Sequence, residues 1–158
     1  MADYSVLFVC MGNICRSPTG EGVLKHMLEG EDLADCVLVD SAGTIAYHTG
    51  EPADARMRKF ASRRGYQLDS IARQTTAKDL EEFDLILTMD RKNIENVRQM
   101  DPDGTFHDKV KNFCDYCEAH ADKEVPDPYY GGDEGFEHVL DLIEDGCKQL
   151  VAEIKKKI

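Results

Sequence analysis

The chain has 158 residues, a formal net charge of −12 and 42% apolar residues. This length allows one domain with a sizeable core, over residues 1–158, and the even spread of apolar residues excludes a disordered protein. The acidic balance disfavours nucleic acid as a partner, because a phosphate backbone attracts a basic surface. No stretch approaches the roughly 20 apolar residues of a membrane-spanning helix, so we predict no membrane span.

The six cysteines and the first residues together indicate a cellular compartment. The opening sequence MADYSVLF has no basic segment ahead of an apolar one, which is not typical of a signal peptide. In an α/β chain without a leader, cysteines are usually reduced thiols rather than a disulfide framework. We therefore predict a cytoplasmic protein with free thiols.

Strand-like and helix-like patterns alternate along the chain. Apolar runs typical of strands in a parallel sheet occupy residues 4–9, 36–40, 83–88 and, more weakly, 109–113. Amphipathic helix patterns lie between and after these runs, over residues 17–29, 53–64, 90–99 and 134–157. This alternation predicts an α/β fold, in which right-handed crossovers place helices on both faces of an open sheet.

The first predicted strand ends at Cys10, where the sequence changes to a short loop. Ligands of open α/β sheets bind outside the carboxyl ends of the strands, so Cys10 lies at a typical binding position. Gly12 and Asn13 accept positive φ angles, while Ser17 is a good N-cap and Pro18 a good first helical residue. The loop and the helix start would then present unpaired N–H groups to an anion.

Cys10 and Arg16 form a Cys-x5-Arg pattern around this loop. Only a thiolate is nucleophilic, and helix N-termini and nearby cations lower the pKa of a thiol. The planar guanidinium of Arg16 can bind two oxygens of a phosphate, which a lysine cannot do. The pattern is weak alone, and a structural Cys10 beside a solvated Arg16 is the alternative. In this context we predict a nucleophile in an anion site.

Four motifs resemble those of the low-molecular-weight protein tyrosine phosphatases. VCMGNICRSP at 9–18 resembles the family signature, and VDSAGT at 39–44, LTMD at 87–90 and DPYYGG at 127–132 follow in family order. The resemblance spans nearly the whole chain. It implies a four-stranded parallel sheet in the order 2-1-3-4, no cofactor or metal, and phosphotyrosine proteins or small aryl phosphates as substrates.

The resemblance also implies roles for the loop after the first strand. Cys10 would carry a phosphocysteine intermediate and Arg16 would bind the phosphate. From its own chemistry, Ser17 is expected to donate a hydrogen bond to the sulfur, and a plain N-cap is the alternative. The main-chain N–H groups expected to bind the phosphate belong to Met11, Gly12, Asn13, Ile14, Cys15 and Arg16. The matching cysteine pair of the family forms a reversible disulfide under peroxide, so Cys15 is the expected redox partner of Cys10, and a small buried hydrophobic residue is the alternative.

Asp127 is the expected general acid and base. It lies between Pro126 and Pro128, whose fixed φ angles stiffen the segment. It would protonate the departing phenolate and then activate water for hydrolysis of the intermediate. From the residues alone a turn aspartate is an equal alternative, since Asp-Pro commonly starts turns. The resemblance favours the acid.

Three tyrosines are expected to form the walls of the cleft. Tyr129 and Tyr130 directly follow the Asp127 segment, and Tyr47 matches the family's specificity position on the opposite wall. Their rings would stack against the aromatic ring of a substrate. The resemblance implies that the tyrosine pair can itself be phosphorylated, so a tyrosine kinase acting on Tyr129 or Tyr130 is a candidate partner. An exposed loop tyrosine is the alternative for Tyr47.

The resemblance also assigns supporting residues. Asn13 is expected in a left-handed backbone position, with Ser41 bracing it. The sequence departs from the family at Ser70, where a histidine is frequent. A second departure is Gly20 and Gly22, where the family usually has alanine. Each glycine costs about 0.8–1 kcal/mol in a helix interior, and close packing of the helix on the sheet would explain them.

Two other functions use the remaining cysteines. An arsenate reductase of the same fold would need resolving cysteines near Cys10, for which Cys114 and Cys117 are candidates. A zinc or redox module would combine this C-x-x-C pair with His107 and His120. A third alternative is a protein that binds phosphotyrosine without turnover.

Overall fold

The computed structural model describes residues 2–158 and contains one four-stranded parallel sheet in the order β2-β1-β3-β4. The strands are β1 (Tyr4–Cys10), β2 (Val37–Gly43), β3 (Leu85–Thr88) and β4 (Val110–Asn112). The predicted α/β fold and strand order are therefore confirmed. The strand β1 is central and leads to Cys10, which pairs in register with Gly43 of β2.

The described residues form α-helices α1 (Arg16–Gly30), α2 (Ala55–Arg63), α3 (Ala77–Glu82), α4 (Arg91–Gln99) and α5 (Asp133–Lys157). Four of these match the predicted helices to within two residues at each end. The sequence reading missed α3, because six residues are too few to show a helical period. The helix starts with a capping box between Thr76 and Asp79, and this sequence pattern could have predicted the start of α3.

Helices cover both faces of the sheet, as predicted. Side chains of β1 alternate between the faces, so Val6 and Phe8 belong to one apolar cluster and Leu7 and Val9 to another. The first cluster contains the apolar faces of α1, α2 and α5, and the second contains those of α3 and α4. Because β1 is buried on both faces, its carboxyl end has a fixed position, and the loop that follows Cys10 starts from that position.

The two glycines of α1 allow the helix to lie close to its neighbours. A Cβ atom on Gly20 would lie 2.5 Å from Phe8 Cδ1 of the central strand. One on Gly22 would lie 2.5 Å from Leu68 Cδ2 and 3.0 Å from the carbonyl oxygen of Gln67. Close packing therefore explains both departures from alanine, and it places the first turn of α1 over the end of β1.

Within residues 2–158, none of the helices combines the length and apolar character that crossing a lipid bilayer requires.

Candidate active site

The candidate active site is a cleft of about 320 Å³ at the carboxyl end of β1. Its floor is the phosphate loop, the name used here for residues 10–16. One wall comes from the segment after β2, and the other from the acid loop, defined as residues 126–130. The predicted residues that line this cleft are Cys10, Met11, Gly12, Ile14, Cys15, Arg16, Tyr47, Asp127, Tyr129 and Tyr130.

The sulfur of Cys10 is in contact with the hydroxyl of Ser17, with Sγ and Oγ 3.0 Å apart. Asn13 Nδ2 donates to the same hydroxyl oxygen at 2.8 Å, which leaves the hydroxyl proton to be donated to the sulfur or, at a longer distance of 3.5 Å, to the carbonyl oxygen of Ala42. The predicted N-cap role of Ser17 is wrong: α1 begins at Arg16, and Ser17 lies within its first turn. Its hydroxyl is oriented by Asn13 and therefore faces Cys10 rather than the helix end.

Asn13 fixes the shape of the phosphate loop. It has the expected left-handed backbone, with φ of 59°, and its side chain is 1% exposed. Its Oδ1 accepts a hydrogen bond from the main-chain N–H of Arg73 at 3.0 Å. The side chain therefore connects the loop on one side to α1, through Ser17, and on the other to the segment before α3.

Two main-chain carbonyl groups of the phosphate loop form hydrogen bonds with the segment that follows β2. The carbonyl oxygens of Cys10 and Met11 accept from the N–H groups of Thr44 and Ile45, at 2.9 and 3.1 Å. Within the described residues, the N–H groups of residues 11–16 have no protein acceptor. Such N–H groups around the end of a strand and the start of a helix are suited to an anion.

Ser41 does not brace Asn13, and that prediction is corrected. Its hydroxyl donates to Glu21 Oε1 of α1 at 2.6 Å, and Lys25 donates to the other carboxylate oxygen at 2.6 Å. The contact links β2 to α1, and it gives the buried Glu21 carboxylate a hydrogen-bond donor, which a buried charge requires. The hydroxyl of Ser70 is buried without a partner among residues 2–158, and Ser70 does not line the cleft.

Arg16 lies below the cleft with a side chain that is only 4% exposed. Its Nη1 donates to Asp90 Oδ2 at 2.5 Å and to the carbonyl oxygen of Val125 at 3.1 Å, while Nη2 is 3.9 Å from Asp127 Oδ2. Burial disfavours the charged form, but the Cys10 sulfur and Asp90 outweigh it and raise the pKa of Arg16. The guanidinium therefore remains a cation beside the sulfur.

Asp127 has one oxygen fixed and one directed toward Arg16. Its Oδ1 accepts from the main-chain N–H of Tyr129 at 3.0 Å, and its side chain is 36% exposed. Tyr129 is half-buried, whereas Tyr130 and, across the cleft, Tyr47 are 90% and 81% exposed. The three rings thus form an aromatic rim around the opening.

Cys15 lies in the same loop as the candidate nucleophile, and it too is buried. Burial first, and then the negative charge of Asp54, raise the pKa of the Cys15 thiol well above its usual range. Cys15 is therefore a neutral thiol at neutral pH.

The sequence reading missed several residues of the site. Asp90 pairs with Arg16, and Arg73 holds Asn13. A Cβ on Gly43 would lie 2.8 Å from the carbonyl oxygen of Met11, so only glycine fits there. Asp90 follows β3, where the rule on strand ends could have identified it. For Arg73 there was no local signal.

Cys114 and Cys117 lie outside the cleft, on and after a short 3₁₀ helix (Phe113–Tyr116). They are not near enough to line the pocket of Cys10, as an arsenate reductase relay would require. Among residues 2–158, no three His, Cys, Asp or Glu side chains are placed to hold a metal ion. The zinc alternative therefore gains no support.

The fold and the site together define an α/β protein with a cysteine at the floor of a cleft, in a loop of main-chain N–H groups that have no protein acceptor among the described residues. The chain belongs to the low molecular weight phosphotyrosine protein phosphatase family, whose model matches residues 5–158. It is an enzyme with phosphatase activity, as the names of its relatives state. This confirms the family predicted from the sequence.

Individual relatives match along almost their whole length. The chain is 41% identical to the low molecular weight protein-tyrosine-phosphatase YfkJ of Bacillus subtilis, over 97% of each chain. It is 38% identical to the human low molecular weight phosphotyrosine protein phosphatase, over 93% of each. A crystal structure of protein tyrosine phosphatase from Entamoeba histolytica, with Hepes in the active site, superposes with a TM-score of 0.94 at 42% identity, covering 97% of each chain.

Proposed function

We propose that the protein hydrolyses phosphotyrosine and small aryl phosphates through a phosphocysteine intermediate on Cys10. The observation that carries the proposal is the convergence of Cys10, Arg16 and Asp127 on one cleft. Nucleophile, anion-binding cation and carboxyl group are the three parts that such a reaction needs. Phosphotyrosine proteins are accordingly the proposed partners.

In the first step the Cys10 thiolate attacks the phosphorus atom. A sulfur–phosphorus bond forms, the bond to the phenolic oxygen breaks, and protonated Asp127 donates its proton to that oxygen. The proton belongs on Oδ2, because Oδ1 accepts from the N–H of Tyr129. Protonation of a leaving group is typically worth about 10²–10⁴ in rate.

In the second step water attacks the phosphocysteine. The Asp127 carboxylate takes a proton from the water, the phosphorus–sulfur bond breaks, and inorganic phosphate leaves. Ser17 would donate to the departing sulfur, from the 3.0 Å contact that it makes in the structure. The enzyme returns to its starting state without a cofactor.

Stabilisation of the transferring group is assigned to the phosphate loop. Charge in the transition state spreads over three phosphate oxygens, and fixed donors around them are the main source of catalysis. The N–H groups of Met11, Gly12, Asn13, Ile14, Cys15 and Arg16 would supply these donors. Arg16 would add two more from its guanidinium, which remains charged because of its ionic neighbours.

The aromatic rim supports phosphotyrosine rather than phosphoserine as the substrate. Tyr47 and Tyr129 line opposite walls of the cleft, where a phenyl ring would lie between them. The serine side chain has no ring to fill this space. Tyr130, the most exposed of the three, is the more accessible target for a tyrosine kinase. The kinase and the cytoplasmic location stay predictions from the sequence.

Cys15 is the proposed redox partner of Cys10. Peroxide would oxidise the Cys10 thiolate to a sulfenic acid and release hydroxide. The neutral Cys15 thiol would then condense with it, forming a disulfide and releasing water. Both cysteines line the same cleft, which supports this pairing.

Trapping the intermediate tests the proposed function. Enzyme mixed with phenyl phosphate is quenched within one turnover, and mass spectrometry of the peptides should locate a phosphoryl group on Cys10. Cys10→Ser should lose turnover but still bind inorganic phosphate. Turnover without any phosphorylated Cys10 would contradict the mechanism. Binding of phosphotyrosine without hydrolysis would instead support the binding-only alternative.

Parallel assays define the substrate class. Phosphotyrosine peptides should be hydrolysed and the matching phosphoserine peptides should not. Comparable rates on both would contradict the role of the aromatic rim. Reduction of arsenate in the presence of a thiol reductant would favour the reductase alternative.

A further inference from the structure

We propose that Arg56 is a positioning residue that holds the general acid Asp127 in its catalytic place, by binding the main chain of Tyr129. The inference rests on the proposed role of Asp127. Arg56 does not line the cleft and touches no expected position of the substrate, so its effect would pass through the acid loop.

Two hydrogen bonds connect the three residues in series. Arg56 Nη2 donates to the carbonyl oxygen of Tyr129 at 3.0 Å. The N–H of Tyr129 donates to Asp127 Oδ1, also at 3.0 Å. Tyr129 is therefore held from both ends of its main chain, and a shift of its backbone would move the carboxyl group of Asp127.

The guanidinium also contacts two aromatic rings. Its carbon atom lies 5.3 Å from the centre of the Tyr129 ring and 4.9 Å from that of Phe136. Phe136 belongs to α5 and is 1% exposed, so it is a fixed surface for the guanidinium. Such cation–π contacts are favourable and restrict where the arginine can lie.

Asp54 anchors the same guanidinium to the phosphate loop. Arg56 Nη2 lies 3.2 Å from Asp54 Oδ2, and Arg56 Nε donates to Oδ1 at 3.3 Å. The main-chain N–H of Asp54 donates to the carbonyl oxygen of Ile14 at 2.8 Å. Asp54 and Arg56 thus connect the loop that carries the nucleophile to the loop that carries the acid.

The acid loop needs such an anchor because it has few of its own. It has no regular secondary structure, and its flanks are held by the bonds from Val125 N–H to the carbonyl of Met89 and from Gly131 N–H to that of Pro128. Asp127 must deliver its proton to one oxygen atom above Cys10. A displacement of about 1 Å can reduce a rate about 10²-fold.

The test uses two esters that differ in their need for an acid. Phenyl phosphate releases a basic phenolate that needs the proton, whereas 2,4-dinitrophenyl phosphate releases a stable anion that does not. For Arg56→Ala we expect kcat/KM to fall about tenfold with phenyl phosphate and by less than about twofold with the dinitrophenyl ester. The ratio kcat/KM is used because it reports the step in which the leaving group departs.

A matched control lies on the same helix. Arg58 donates to the carbonyl oxygen of Ala53 and has no contact with the acid loop in the described structure. Arg58→Ala also removes one positive charge. It should leave the ratio of the two kcat/KM values, for phenyl phosphate and for the dinitrophenyl ester, unchanged. Arg56→Lys should recover only part of the loss, because an ammonium group cannot bind Asp54 and Tyr129 in one plane.

A double variant separates positioning from a structural effect. If Arg56 acts through Asp127, adding Arg56→Ala to Asp127→Ala should cause no further loss with phenyl phosphate. The inhibition constant of inorganic phosphate should stay unchanged in Arg56→Ala, since the phosphate loop is intact.

The outcomes separate this inference from the proposed function. An equal loss with both esters, no loss, or an additive loss in the double variant would overturn the role of Arg56. If Asp127→Ala itself affects both esters equally, the acid assignment fails, and the role of Arg56 fails with it.

Discussion

The phosphate loop and the acid loop lie on two sides of one cleft but are built in different ways. In the phosphate loop, Asn13, Cys15 and Arg16 are between 1% and 4% exposed; the main-chain N–H of Arg73 holds Asn13, and the Asp90 carboxylate holds Arg16. In the acid loop, Tyr130 is 90% exposed. The first loop follows a central strand and opens a helix, whereas the second has no regular secondary structure.

The difference matches what each loop has to do. Donors that stabilise a transition state work best when they are fixed before the reaction, because no energy is then needed to orient them. An acid must meet a leaving group that enters and departs, so its loop must face solvent. Substitutions in the phosphate loop should therefore affect every substrate alike, and those in the acid loop should discriminate between leaving groups.

Arg16→Lys should have the largest effect on activity among the following changes. Lysine keeps the positive charge but cannot bind two phosphate oxygens in one plane, so we expect kcat/KM to fall about 10²–10³-fold. The loss should be similar for phenyl phosphate and 2,4-dinitrophenyl phosphate in steady-state assays. Activity equal to that of the unaltered enzyme would contradict the bidentate role.

Asp127→Ala should show the opposite pattern. With phenyl phosphate we expect kcat/KM to fall about 10²-fold, since the leaving phenolate is no longer protonated. The dinitrophenyl ester should lose much less, because its leaving group needs no acid. Parallel kinetics on the two esters make the comparison, and equal losses would assign Asp127 to another role.

Asn13→Ala should lower kcat/KM about tenfold for both esters, because the loop loses its hydrogen bonds to Ser17 and Arg73 and its donors are displaced. It also places alanine at a φ of 59°. The matched control is Asp32→Ala, since Asp32 is exposed with a φ of 58° and lies after α1. Asp32→Ala should lower stability through the same left-handed backbone conformation, and it should leave kcat/KM unchanged. A loss confined to phenyl phosphate would place Asn13 with the acid loop.

Gly20→Ala should change stability rather than catalysis. A methyl group 2.5 Å from Phe8 Cδ1 overpacks the contact between α1 and β1, at a cost of about 1–3 kcal/mol. Gly30→Ala is the control, because no atom lies within 4 Å of its added Cβ. Urea unfolding should show the loss only for Gly20→Ala. An unchanged midpoint would mean that α1 can move away from the sheet at little cost.

The sequence predicted features that depend on neighbouring residues. Cys10 and Arg16 are six positions apart in one loop, and the change from an apolar strand to a helix start is visible in the letters alone. The Asp127 segment is equally compact, with its prolines and tyrosines adjacent. Because strands β1, β2 and β3 are buried, their apolar runs identified the sheet, and the resemblance supplied its order.

The partners of these residues could not be predicted in the same way. Arg16 binds Asp90 across 74 residues of sequence, Arg73 holds Asn13 across 60, and Arg56 reaches Tyr129 across 73. The sequence predicts a contact of Ser41 with Asn13, but the Ser41 hydroxyl bonds to Glu21. Which side chains meet depends on how closely each helix packs on the sheet, and local patterns carry little of that information.

By itself, the sequence determined the class of fold, and it predicted Cys10 as the nucleophile and Arg16 as the phosphate ligand. These follow from hydrophobic periodicity, local spacing and turn chemistry, whereas the acid role of Asp127 comes from the family resemblance. Only the tertiary structure decided that Arg56 and Asp54 connect the two loops, and that the Ser41 hydroxyl bonds to Glu21 of α1. Such pairings are fixed by packing distances between elements far apart in the chain, because a hydrogen bond forms only when its atoms come within about 3 Å.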